Sequence, residues 1–167
     1  MRNKSMRGYT LVELVVAVGL FALVMTLVSG AYIVMIGLTE RAQGMATGID
    51  NLSFALETMT RTIRTGTDYS CNYGNDCSPG AIFSVKNARG TTMSYSLSSG
   101  VIKQNNIPLT DPSVNVSSLA FYVSGTTPGD ANQPHVTILI SGTVSSGSGK
   151  TESFAVETGA TMRTPDL

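Results

Sequence analysis

The chain has 167 residues, enough for one modest folded domain and too few for two comfortable ones. Eleven Lys and Arg balance eleven Asp and Glu, so the formal net charge is zero, and no basic excess is present to hold a phosphate backbone; this argues against a general nucleic-acid binder. One histidine, His135, and two cysteines, Cys71 and Cys77, are too few for a zinc cluster of the usual Cys/His kind.

The first element is an apolar block. Residues 1–8 carry Arg2, Lys4 and Arg7 and no acid, and Leu14 to Met25 is an unbroken non-polar run. Apolar character persists to Leu38, interrupted only by glycine, Thr26 and Ser29. Leu11 to Leu38 would extend about 42 Å as helix, more than the roughly 20 residues a bilayer core requires. Basic residues on the N-terminal side only, with the next at Arg41, place the N-terminus in the cytoplasm and the remainder outside it. Glu13 does not belong in a plain anchor. A carboxylate in a spanning helix costs about 2.5–3.5 kcal/mol at mid-bilayer and less near an end. It is either a boundary residue whose carboxylate snorkels to water or a functional group. A secretory signal cut after Ala31 is a competing reading, opposed by Glu13 and by the apolar run beyond the cut.

Lys4-Ser-Met-Arg-Gly8-Tyr9-Thr10-Leu11-Val12-Glu13-Leu14 closely resembles the processing signal of type IV pilins and type II secretion pseudopilins. Family members more often carry Phe where this chain has Tyr9. The resemblance implies a leader of residues 1–8, cleavage between Gly8 and Tyr9 by a membrane prepilin peptidase, and N-methylation of Tyr9. It also implies that Glu13 pairs with a neighbouring subunit's α-amino group and sets register during assembly. The residue types have their own logic. Glycine before the cut lets the backbone extend into a peptidase cleft. Loss of the leader removes three basic residues, leaving net −3 over 159 residues. Glu13 then lies one turn from the new amine, at the positive end of the helix dipole.

Beyond the apolar block, Leu38, Ala42, Met45, Ile49, Leu52, Leu56, Met59 and Ile63 alternate in steps of four and three, a continuous helical stripe. No proline precedes Pro79. One helix from about Thr10 to Arg64 is expected, roughly 80 Å long, its stripe covered by the chain's own β domain or by a coiled-coil partner. Gly30, Gly37, Gly44 and Gly48 weaken its middle by up to about 1 kcal/mol each and suggest local melting during assembly.

After Gly66 the texture becomes extended. Strands are expected at Ala81–Val85, Thr92–Leu97, Val101–Lys103, Leu119–Val123, Val136–Ile140 and Ser153–Glu157, with turn signals between them, among them Thr127-Pro-Gly129 and a hairpin loop at Ser145–Gly149. Leu119, Phe121 and Val123 share a face, as do Val136, Ile138 and Ile140. The expected fold is α+β: a long N-terminal helix covering the apolar face of one antiparallel sheet. The helix-then-sheet order, with Arg61-Thr-Ile-Arg64 at the helix end, resembles the J-type minor pseudopilins and related minor pilins. The expected segments are 1–8 leader, 9–38 transmembrane and assembly helix, 39–66 amphipathic continuation, and 67–167 β-rich extracytoplasmic headpiece.

Within the headpiece, Cys71 and Cys77 flank a polar five-residue loop, and nearby cysteines outside the membrane usually oxidise. A bridge would contribute about 2–2.5 kcal/mol with its loop outside the strands; the spacing is wrong for a reactive CxxC pair. His135 is expected to be structural. Asp76, Asp111 and Asp130 lie in loops, as turn-formers or, less simply, calcium ligands, with no EF-hand pattern. No nucleophile elbow, phosphate loop or paired-carboxylate motif is present, so neither a catalytic residue, a cofactor nor a metal is expected. The resulting expectation is a structural, minor pilin or pseudopilin subunit, held in the bacterial inner membrane until it enters a filament. Its partners would be the peptidase, other subunits, an inner-membrane assembly platform and lipid. One rival is a ligand-recognising pilus subunit, an adhesin or DNA-uptake component, although residues 67–167 carry net −2 and nucleic acid is not expected. The other is an anchored protein that never assembles.

Overall fold

The computed structural model describes residues 8–72, 77–127, 132–146 and 149–163, without the side chains of residues 77–80. The chain divides into two units, Met1–Glu40 and Arg41–Leu167, and one helix, α1 (Leu11–Thr65), contributes to both.

In the first unit α1 has no cover. Every residue from Leu11 to Glu40 is exposed except the half-buried Gly37. The helix is long and apolar enough to cross a membrane. Its serine and threonine hydroxyls are satisfied within the helix: Thr26 Oγ1 donates to Leu23 O at 2.8 Å, Ser29 Oγ to Met25 O at 2.8 Å, and Thr39 Oγ1 to Met35 O at 2.9 Å. Hydroxyls that close on their own backbone need no water, which suits an apolar solvent.

Among the described residues, the second unit holds the rest of α1 and nine strands: β1 (Thr67–Cys71), β2 (Cys77–Gly80), β3 (Ile82–Lys86), β4 (Thr92–Ser98), β5 (Val101–Gln104), β6 (Ile107–Pro108), β7 (Val114–Ser124), β8 (His135–Ser145) and β9 (Thr151–Thr161). They form two antiparallel sheets, ordered β1-β3-β4-β5-β6 and β2-β7-β8-β9, rather than the single sheet expected. The anticipated strands are present, the last three considerably longer than their apolar cores suggested. β1, β2 and β6 carry weak patterns, and tertiary pairing rather than propensity creates them. Along β7 the buried set is Val114 and Val116, then Leu119, Phe121 and Val123. This change of phase coincides with a register shift against β8 between Val116 and Ser118. The extra residue keeps both halves of the strand facing the core.

The core joins both sheets to the helix. Phe83 stacks against Tyr69, Tyr95 and Phe121, with centroid separations of 6.2, 6.4 and 5.0 Å. The helical contribution is Gly48, Leu52, Ala55, Met59 and Ile63. The expected stripe is therefore covered only in its C-terminal half, and by the chain's own strands; Leu38, Ala42, Met45 and Ile49 are exposed. Strict seven-residue spacing drifts around a straight helix by about 20° per heptad, so one face cannot follow it throughout. Gly48 marks the closest approach: a Cβ there would fall onto Val144 Cγ1.

The end of α1 is closed by tertiary partners. Arg163 N donates to Arg64 O at 2.9 Å, and the Tyr69 hydroxyl lies 2.7 Å from the carbonyl oxygens of both Ile63 and Gly66. Burial pushes the Tyr69 phenol up to about 12. An unfolded tyrosine titrates near 10, so the stability from the neutral phenol is complete below about pH 10 and is lost as pH rises from there through about 12. Tyr69→Phe is expected to destabilise the protein by about 1–3 kcal/mol at neutral pH, by removing the hydroxyl shared between the Ile63 and Gly66 carbonyls, of which Ile63 O keeps the Gly66 N–H. It should also flatten the decline of stability between pH 10 and 12. Urea unfolding at pH 8 and pH 11 checks both; equal stability of the two proteins at pH 8 would contradict the closure.

Candidate functional site

The residues singled out at the start of the chain lie where α1 begins. Gly8, Tyr9 and Thr10 precede the helix and are exposed, Tyr9 to 86%. A Cβ on Gly8 would meet nothing within 4 Å. Among the described residues nothing therefore excludes a side chain at position 8. If glycine is required there, the requirement comes from outside.

Thr10 is the helix cap. Its Oγ1 accepts from Glu13 N at 3.2 Å and its carbonyl accepts from Leu14 N at 3.2 Å. Thr10-Leu-Val-Glu13 has the S/T-x-x-E spacing of a capping box. That pattern was visible in the sequence, yet Thr10 was read only as part of the processing signal. Two roles thus converge on Glu13. Its backbone N–H is held by the cap, while its exposed side chain sits in the first turn, where the helix dipole favours a negative charge. Among the described residues Glu13 has no ion-pair partner. The site therefore presents an exposed, non-helical dipeptide, Gly8-Tyr9, followed by a capped helix end with one carboxylate and continuous apolar surface.

The remaining sequence candidates are dispersed. Cys71 is buried at the end of β1. Cys77 opens β2, where its backbone pairs with Val123 of β7; its side chain lies outside the described residues. The two cysteines therefore belong to strands of different sheets, and most of the loop between them lies outside the described residues. Asp111 is a turn-former: Ser113 N donates to its Oδ1 at 2.9 Å, which holds the carboxyl below its usual range, and its own N–H donates to Asn51 Oδ1 on α1 at 2.9 Å. His135 begins β8 and its Nδ1 lies 2.9 Å from Thr161 Oγ1, a cross-strand contact within the β8–β9 register. Asp76, Asp130, the leader residues 1–7 and parts of the Thr127–Gly129 and Ser145–Gly149 turns lie outside the described residues. Among the described residues, no three His, Cys, Asp or Glu side chains gather as a metal site.

Residues 3–29 match the family described as the prokaryotic N-terminal methylation motif, which spans Gly8, Tyr9, Thr10, Glu13 and the first part of the apolar helix. No curated protein and no solved structure matches the chain. The match supports a prepilin-type substrate, and together with the uncovered apolar helix it is consistent with anchoring in the inner membrane.

Proposed function

We propose that the chain is a structural subunit of a type IV pilus-like or type II secretion filament, of the minor class that resembles J-type pseudopilins. It is made with residues 1–8 as leader, cut between Gly8 and Tyr9 by prepilin peptidase, and methylated on Tyr9. Residues 9–38 hold it in the inner membrane and pack among other subunits' helices after extraction by the assembly platform. Residues 39–66 continue the helix, and 67–167 form the extracytoplasmic headpiece. The observation that carries the reading is the conjunction at Gly8–Glu13. The methylation motif coincides with an exposed, unpacked glycine, a capped helix start and an apolar surface that the chain itself leaves bare. A heterologous contact repeated along an axis builds an open filament, and a carboxylate placed one turn from a neighbour's amine would fix its register.

Glu13 lies beyond the cut, so its chemistry belongs after cleavage. In the host, Glu13→Val is expected to be processed and membrane-resident yet depleted from filaments, because the register-setting charge is gone although insertion is easier. Gly8→Leu is expected to accumulate as uncut precursor. Quantitative blotting of membrane and sheared-filament fractions reads both. Wild-type levels of the valine variant in filaments would make Glu13 a boundary residue, and normal processing of the leucine variant would remove the peptidase assignment.

The proposal includes a Cys71–Cys77 bridge. With Cys71 ending β1 of one sheet and Cys77 opening β2 of the other, it would staple the two sheets beside the core. Non-reducing peptide mapping of natively exported protein should recover a linked Cys71–Cys77 pair, and reduction should lower headpiece stability by about 2–2.5 kcal/mol. Two free thiols would contradict it.

A further inference from the structure

The four sheet edges of the second unit are not equivalent. β1 is five residues long and its pairing with β3 is broken by a register shift. β6 has two residues, one of them Pro108; β2 has four, with a register shift and Pro79. Shortness, bulges and proline are ordinary means of keeping an edge from recruiting another strand. β9 has none of them. It runs eleven residues, pairs with β8 without a shift from Ser145↔Thr151 to His135↔Thr161, and contains no proline, its only charges being Glu152, which Arg41 approaches to 4.0 Å, and Glu157. Among the described residues no strand pairs with its other side. Its outward N–H and C=O groups are a template for one more strand.

Next to the end of this strand lies an open groove of about 1130 Å³. Its lining includes Thr158 and Thr161 of β9, Arg163 just beyond it, and Glu57, Arg61 and Arg64 of α1. Three guanidinium groups share the groove with one carboxylate. None of them forms an ion pair among the described residues, whereas Arg41 and Lys86 do so with Glu152 and Asp68. Arg61 also lines a neighbouring hollow of about 250 Å³ together with Arg89. Although residues 67–167 are net acidic, Arg163 joins Arg61 and Arg64 of α1 in gathering positive charge at one place, beside the edge of β9 that no described strand covers.

We propose that β9 and this groove form a docking site for an extended acidic segment of a partner polypeptide. The segment adds a strand to β9 through its main chain, and its carboxylates lie against Arg61, Arg64 and Arg163, whose planar donors match carboxylate geometry. An anionic glycan or a nucleic acid would satisfy the arginines but not the row of edge amides and carbonyls, so both observations together favour a peptide. The inference does not depend on the filament reading.

The test uses the full-length chain in detergent and a fluorescent octapeptide that alternates threonine and valine and ends in two aspartates. Saturable binding is expected. A copy with asparagines in place of the aspartates, a copy N-methylated at every amide, and the Arg61→Gln and Arg163→Gln proteins should each weaken it by about tenfold or more. The arginines are exposed, and the Arg163 N–H that bonds to Arg64 O belongs to the main chain, so the fold should survive their loss. The peptide copies probe the unaltered protein in any case. Absence of saturable binding, equal binding of the N-methylated copy, or polyphosphate binding that persists when the octapeptide does not bind would overturn the proposal.

Discussion

Twenty large apolar side chains between Tyr9 and Leu38 have no cover among the described residues, and the organisation of the molecule depends on what covers them. At about 1.5–3 kcal/mol for each side chain removed from water, the total runs to tens of kcal/mol. The single carboxylate among them costs about 2.5–3.5 kcal/mol even at mid-bilayer, and less at a helix end. The apolar term wins by an order of magnitude, so the segment is driven out of water with Glu13 in it. A helix is the form that permits this, because its backbone hydrogen bonds close within the segment. Thr26, Ser29 and Thr39 follow the same rule by donating to carbonyls one turn back. At the start, where backbone N–H groups would be left open, the Thr10 hydroxyl takes one of them.

The same helix meets a different solvent in the second unit. From Gly48 onward one face turns to protein, and the residues on it become small or shape-matched: Gly48 against Val144, Ala55, then Met59 and Ile63 in the cluster around Phe83. Side-chain and main-chain bonds then hold the helix to the strands, from Asn51 to the Asp111 turn and from Tyr69 and Arg163 to the last carbonyls. A helix end closed in this way is held by the strands as well as by its own sequence, whose last turns are rich in threonine and run into Gly66. The headpiece in turn leaves one long edge and one arginine-lined groove open, and these are the features through which it can be distinguished from a mere cap on the helix.

Much of this was legible in the residues. The long helix, its α+β partner and the processing motif follow from an apolar run, a periodic stripe and an ordered set of residue types. Strands with strong alternation, such as Val136–Ile140, were equally plain. The division into two sheets was not, because strand order depends on pairings between distant residues and β1 and β2 carry little pattern of their own. The phase change in β7 shows why a short apolar core understates a strand: Val114 and Val116 look out of step with Leu119 until the bulge at Ser117–Ser118 is counted. The stripe on the helix misled in the opposite direction. Met45 and Ile49 fit its spacing but face solvent, because a strict seven-residue spacing drifts off the covered face, which at that level is presented by Gly48. The arginine groove was invisible for a related reason. Arg163 lies about a hundred residues beyond Arg61 and Arg64 in the chain, and all three read as solvated positions until the Arg163 N–H meets the Arg64 carbonyl.

The central claim is that the helix begins its working life at Tyr9, with a methylated amine one turn from Glu13. Intact mass and N-terminal sequencing of the protein recovered from its host's membranes test it most directly. The account predicts a chain that starts at Tyr9 and carries one methyl group on its α-nitrogen. A chain that retains Met1, or one that begins at Tyr32 after a signal-peptidase cut, would contradict it.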